Sequence, residues 1–163
     1  VYLDMISKKT GALFELSGKG GGLIGGGNPQ EITALKTYGM ALGLAFQIWD
    51  DYLDMSSKTT ILGKDIGNDI RNGKKTLIAV HCLSHVNGEE RQFFANIFGN
   101  RNASDHDVVK VYDLFRELGS VEYAQQRALQ YVDQAKDAIA ILRSSDAKEL
   151  LYQLIDYVIQ RDK

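Results

Sequence analysis

Apolar residues recur at helical spacing along nearly the whole chain, and the one proline, Pro29, stands where a helix can begin; the pattern predicts an all-helical fold. A first helix is expected from about Tyr2 to Ser17, with Leu3, Ile6, Leu13 and Leu16 among its apolar positions. Seven of the sixteen glycines then fall between Gly18 and Gly27, where the chain is expected to leave the helix for a flexible connection. Asn28-Pro29-Gln30-Glu31 reads as a helix start, with Asn28 as N-cap, Pro29 at the first helical position and Glu31 reaching back as a capping-box partner. This helix should run to about Met55. Around positions 38–49 it is apolar on nearly every side, the pattern of a helix surrounded by others.

From Ser56 to Gly73 the sequence is polar, charged and punctuated by glycine, which predicts a loop with one short helical turn near Asp69. Helix resumes near Lys75 and runs to about His85, and another is expected from Glu89 to Phe98. Ser104, with Asp107 three residues later, caps a helix that reaches Leu118 and stops at Gly119. Ser120 is expected to cap a long helix to about Arg143, and Asp146 to open the last one, to about Arg161.

A chain of 163 residues, 44% hydrophobic, suits one helical domain with a substantial core; a domain of this size buries roughly 68–70% of its unfolded surface. A net charge of −2 without a basic block argues against nucleic acid as a partner. No apolar run approaches the ~20 residues that span a bilayer, so no integral membrane segment is expected, and the lone cysteine, Cys82, makes a reducing cytoplasm the simplest setting. The chain enters a helical pattern directly at Val1, without an initiator methionine, as part of a longer protein would.

The chemistry concentrates in Asp50-Asp51-Tyr52-Leu53-Asp54, at the end of the apolar run. On a helix, Asp50 and Asp54 share a face one turn apart and Asp51 stands close by; uncompensated, these charges repel. Hard oxygen donors with no histidine or cysteine nearby point to magnesium held by Asp50, Asp51 and Asp54. Ten residues on, the segment Gly63-Lys64 to Gly73-Lys74-Lys75-Thr76 sets lysines on either side of a glycine-punctuated loop. Ammonium groups suit phosphate oxygens, so carboxylates and lysines together describe a diphosphate site. Such a site favours loss of diphosphate, and the apolar helix could wall a hydrocarbon tail, which makes the substrate an isoprenoid diphosphate.

Gly43-Leu44-Ala45-Phe46-Gln47-Ile48-Trp49-Asp50-Asp51-Tyr52-Leu53-Asp54 and the loop that follows resemble the second aspartate-rich motif and adjoining loop of the trans-isoprenyl diphosphate synthases, such as farnesyl and geranylgeranyl diphosphate synthase. Lys9-Thr10 resembles that family's Lys-Thr pair, and Gln160-Arg161-Asp162-Lys163 its basic C-terminus. The resemblance implies an orthogonal helical bundle of the isoprenoid synthase type, with residues 1–163 forming the C-terminal half of its single domain. It implies that an allylic diphosphate ionises, isopentenyl diphosphate attacks the carbocation and a proton is lost. Asp50 and Asp54 would ligate magnesium, with Asp51 and Asp69 supporting through water. Lys9 and Lys64 would contact the diphosphate, Lys74 would contribute at the rim, Thr10 and Gln47 would set oxygen dipoles beside the cation, and Phe46 would pack against substrate. A homodimer is implied for the full-length protein.

One departure bears on activity. The family carries an earlier aspartate-rich motif with an arginine pair close behind it, whereas Asp50-Asp51 is the only Asp-Asp pair here and no Arg-Arg pair occurs. The chain alone is therefore expected to be inactive. The alternatives are a noncatalytic diphosphate-binding or regulatory subunit of a heteromeric synthase, and a structural bundle whose carboxylates bind no metal. His81 and His85 have the spacing of a helical metal pair but lack a further ligand, so no zinc site is expected.

Overall fold

A computed structural model describes residues 1–56 and 66–160 of the chain. Among them the regular elements are all helical: α1 (Tyr2–Ile6), a π-helical turn (Ser7–Gly11), α2 (Ala12–Ile24), α3 (Pro29–Ser56), α4 (Ile66–Arg71), α5 (Leu77–His85), α6 (Gly88–Ile97), α7 (Asp105–Glu117), α8 (Ser120–Ile139) and α9 (Asp146–Gln160). The all-α expectation holds. No helix among the described residues is long and apolar enough to cross a membrane. The residues form two compact groups, one built from Val1, Leu3–Trp49 and Gln126–Lys163, the other from Tyr2 and Asp50–Gln125.

The first group is organised around α3. Tyr38, Ala41, Leu42 and Ala45 of α3 pack with Val132, Ala135 and Ile139 of α8 and with Ile155 and Val158 of α9 in one buried cluster. The Tyr38 hydroxyl donates to the Leu151 carbonyl at 3.1 Å, and Lys136 pairs with Asp156 at 2.8 Å, which fastens α8 to α9. Residues two apart on a helix point about 200° from each other, so Gly39 and Gly43 lie on the face opposite Ala41 and Ala45. That second face receives α2 and the π turn. A Cβ on Gly39 would fall 2.2 Å from the Phe14 carbonyl oxygen, and one on Gly43 would fall 2.9 Å from Gly11 Cα. Covered on opposite sides, α3 is apolar nearly all round, as its sequence suggested.

The expected flexible connection at Gly18–Gly27 is not what forms. Helix α2 continues through Gly18, Gly20, Gly21 and Gly22 to Ile24. Each helical glycine costs about 1 kcal/mol relative to alanine; at Gly18 close backbone contact repays the loss, since a Cβ there would meet the Leu35 carbonyl oxygen at 2.2 Å, whereas Gly20 and Gly21 have nothing within 4 Å of an added Cβ. The helix ends just beyond, where Gly26 adopts φ +70°. Gly27 N–H donates to Gly22 C=O at 2.9 Å and Gly26 N–H to Leu23 C=O at 3.2 Å, a Schellman motif. The capping box follows as expected: Asn28 Oδ1 accepts from the N–H groups of Gln30 and Glu31 at 2.9 and 3.0 Å, and Glu31 Oε2 accepts from Asn28 N–H at 2.9 Å.

The second group packs α4 to α7 around Ile70, Ile78, Val86, Phe94, Val108, Val111 and Phe115, all fully buried. Phe94 meets Phe115 edge-on, with centroids 6.1 Å apart. The Tyr112 hydroxyl donates to the Met55 carbonyl at 3.0 Å and holds the last turn of α3. Helix α5 starts close to Lys75, as expected: Thr76 is its N-cap, with Oγ1 accepting from Ala79 N–H at 3.2 Å. Ser104 caps α7 as expected. Ser120 is the first residue of α8 and not its cap; its buried Oγ lies 3.0 Å from His81 Nδ1. Back in the first group, α8 stops at Ile139, short of Arg143, where Lys148 Nζ donates to the carbonyls of Ala140 and Leu142 at 2.8 and 2.7 Å. Ser145 caps α9, its Oγ accepting from Lys148 N–H at 3.2 Å.

Two glycines of the first group separate packing from propensity. Gly39→Ala should lower the unfolding free energy by about 1–3 kcal/mol, because its methyl would displace backbone. Gly20→Ala, with nothing within 4 Å of the new methyl, should raise stability by up to ~1 kcal/mol. Urea unfolding of the two variants should move in opposite directions.

Candidate functional site

The carboxylates of Asp50, Asp51 and Asp54 stand in the last two turns of α3, where the helix dipole is negative and further negative charge is unfavourable. Two groups offset that charge. Asp51 is 3% exposed, and its Oδ2 accepts from the Tyr2 hydroxyl at 2.5 Å. Its Oδ1 lies 3.5 Å from Lys74 Nζ, which also lies 3.7 Å from Asp54 Oδ2 and 2.9 Å from Asp69 Oδ2. One ammonium thus stands among three carboxylates.

The backbone explains how Lys74 gets there. Helix α4 ends in a second Schellman motif: Gly73, at φ +62°, donates its N–H to Ile70 C=O at 3.1 Å, and Lys74 N–H returns to Asp69 C=O at 3.0 Å. The reversal lays Lys74 back over Asp69. Gly99 N–H donates to the Ile70 carbonyl at 2.9 Å, and Arg71 bonds the Ala103 carbonyl at 3.2 Å and the Asp105 carboxylate at 2.5 Å. These contacts fix the end of α4 against the start of α7.

Burial pushes the Asp51 carboxyl above its ordinary 3.8, against the opposing pull of Tyr2 and Lys74. The Tyr2 phenol is raised strongly, by burial first and by Asp51 second. Burial alone would lower Lys74, but its bonds to Asp69 and Asp51 win, and the ammonium is held above its ordinary 10.5. The two shifts act oppositely on stability. A raised lysine contributes stability that is full below 10.5 and lost as pH rises through its folded value. A raised carboxyl costs stability as pH rises from 3.8 through its folded value.

The other expected residues sit in the first group. The Thr10 hydroxyl, on the π turn, donates to Gln47 Oε1 at 3.0 Å, and the rings of Phe14 and Phe46 tilt at 39° with centroids 5.7 Å apart. Lys9, on the same turn, is exposed, while Lys8 pairs with Asp4 at 2.9 Å. Lys64 and the basic tail from Arg161 lie outside the described residues. Asp69 meets Lys74 directly. His81 and His85 stack at 4.0 Å with their Nδ1 atoms placed on Ser120 Oγ and the His81 carbonyl.

Among the described residues no three His, Cys, Asp or Glu side chains converge as a ready metal cage. The donor set nevertheless fits magnesium, which takes one or two carboxylates and completes its shell with phosphate oxygens and water. The Lys74 ammonium already stands within 4.0 Å of carboxylate oxygens of Asp51, Asp54 and Asp69.

Residues 1–115 match the family model described as polyprenyl synthetase. The chain belongs to that family. Among polyprenyl synthetase relatives, it is 42% identical over 161 residues to the short chain isoprenyl diphosphate synthase of Methanothermobacter thermautotrophicus, covering 99% of this chain and 49% of that protein. Geranylgeranyl pyrophosphate synthetase of Pyrococcus horikoshii superposes with a TM-score of 0.89 at 43% identity, over 99% of this chain and 49% of that one. The polyprenyl synthase of Caulobacter crescentus, solved with calcium and isoprenyl diphosphate, superposes with a TM-score of 0.85 at 33% identity, again over 99% and 49%. The chain spans about half the length of the curated relatives it matches.

Tyr2 is the residue that sequence reasoning missed, since nothing local links positions 2 and 51. Lys74 is 44% exposed, so its pairing is partly screened; Lys74→Met should cost about 1–2 kcal/mol at pH 7. The deficit, measured by urea unfolding, should shrink as pH is taken above 10.5.

Proposed function

We propose that this chain is the diphosphate-ionising portion of a prenyltransferase that condenses an allylic isoprenoid diphosphate with isopentenyl diphosphate and releases diphosphate. The observation that carries the reading is the cluster of Asp51, Asp54, Asp69 and Lys74, built at the end of an apolar helix in a member of the polyprenyl synthetase family. The solved relative from Caulobacter crescentus, with calcium and isoprenyl diphosphate, supports both the ligand class and a divalent cation.

Asp50 and Asp54 would hold magnesium, with Asp51 and Asp69 behind them; when bound, the ion supplies positive charge for the departing diphosphate. By resemblance, Lys9, Lys64 and Lys74 would supply the rest of that charge, as point donors to phosphate oxygens. The Thr10 hydroxyl donates its hydrogen bond to Gln47 Oε1, which leaves the lone pairs of Thr10 Oγ1 for an electron-poor carbon. That pair is the chain's candidate for stabilising an allylic cation. Phe46, partly exposed at the edge of the α3 core, offers an apolar surface to a prenyl tail.

Condensation also needs a site for isopentenyl diphosphate. By resemblance that site uses arginines close behind an earlier aspartate-rich motif, and neither feature occurs in these 163 residues. The chain should therefore bind diphosphate without turning substrates over by itself. A homodimer of the full-length protein and a cytoplasmic setting belong to the same reading; the lone cysteine, Cys82, fully buried with its thiol pushed up to about 12, suits a reducing compartment.

Calorimetry with inorganic pyrophosphate and magnesium tests the reading. The parent chain should bind, and Asp50→Ala should weaken binding roughly tenfold or more, a loss of about 1.4 kcal/mol or more. Asp113→Ala, on the exposed side of α7, should leave it unchanged. No binding by the parent, or equal losses in both variants, would remove the diphosphate site from consideration.

A further inference from the structure

Tyr2 opens α1, yet its side chain is 6% exposed and its hydroxyl reaches a carboxylate 49 residues away. Asp51 is divided between two donors on its two oxygens: the phenol at 2.5 Å on Oδ2 and the ammonium of Lys74 at 3.5 Å on Oδ1. A buried carboxylate otherwise rotates to satisfy both oxygens. With one oxygen taken by Tyr2, only the other faces Lys74. The shortest contact of Lys74 is accordingly with Asp69 at 2.9 Å, and its side chain stays 44% exposed.

We propose that Tyr2 is a positioning residue of the diphosphate site: by occupying Oδ2 of Asp51, it keeps the Lys74 ammonium forward, between Asp54 and Asp69, where an anion can meet it. Without the phenol hydroxyl, both oxygens of Asp51 turn to Lys74, and the ammonium is drawn inward into a tighter, less accessible pair. Asp51 is then the support for the lysine, and Tyr2 acts on the ligand only through it. This inference rests on the diphosphate reading for its ligand, but the position of Lys74 can be measured without any ligand.

Tyr2→Phe removes the hydroxyl and keeps the ring. The rate at which a water-soluble acylating reagent modifies Lys74, read by mass spectrometry, should fall about fivefold in this variant. Binding of magnesium pyrophosphate should weaken by a similar factor in the parent background and not weaken further when Tyr2→Phe is added to Lys74→Met. A Lys74 rate within twofold of the parent's overturns the proposal, as does an unchanged affinity or an equal loss of affinity in the Lys74→Met background, which would mark a general structural role. If the parent binds no pyrophosphate, the diphosphate function fails, while the acylation rate still decides whether Tyr2 positions Lys74. Should Tyr2→Phe not fold, Asp51→Asn carries the test. Its amide keeps an acceptor for Tyr2 but presents N–H groups to Lys74, so acylation must rise, and an unchanged rate overturns the proposal.

Discussion

Negative charge gathered at the C-terminal end of a helix opposes the helix's own dipole, and everything built around the end of α3 answers that opposition. Asp51 is nearly inaccessible, so water cannot screen it. A phenol and an ammonium do so instead. The ammonium arrives because α4 ends in a backbone reversal, and α4 is itself held by Arg71 on the Ala103 carbonyl and Asp105. Local charge compensation thus reaches, through a short helix, into the packing of α7. The same arrangement suits a ligand that carries both a divalent cation and phosphate oxygens.

The helical fold was legible because its signals are local and redundant. The Asn28–Glu31 capping box, the Ser104 cap and the all-round apolarity of α3 each stand out in a few consecutive residues, and the structure bears them out. The glycine segment was misread because its cause is not local. Nothing between Gly18 and Gly22 announces that Leu35 presents a carbonyl to it. Propensity favoured a break, and tertiary contact overrode it. Ser120 was misassigned for a related reason: a serine after a glycine looks like a cap, whereas its hydroxyl is occupied by His81 on a different helix.

Legibility of the candidate site divides in the same way. Asp50, Asp51 and Asp54 can be picked out by helical spacing, and Lys74 by its place in a glycine-punctuated segment rich in lysine. The pairing of Lys74 with Asp69 and the burial of Asp51 under Tyr2 depend on the path of the chain between distant positions. Sequence identifies which groups carry charge; the fold decides which of them are already engaged before any ligand arrives. Asp51 is the clearest instance, a carboxylate that looks like its neighbours in sequence and is buried with Tyr2 on one oxygen and Lys74 near the other.

Glycine content usually serves as a gauge of how soft a chain is. Here the carbonyls of Phe14 and Leu35 rest directly against Gly39 and Gly18, so two backbones touch with no side chain between them. Such a seam has no rotamers to change and no methylene to compress. The positions that look most pliable on paper are therefore where α2 and α3 can shift least.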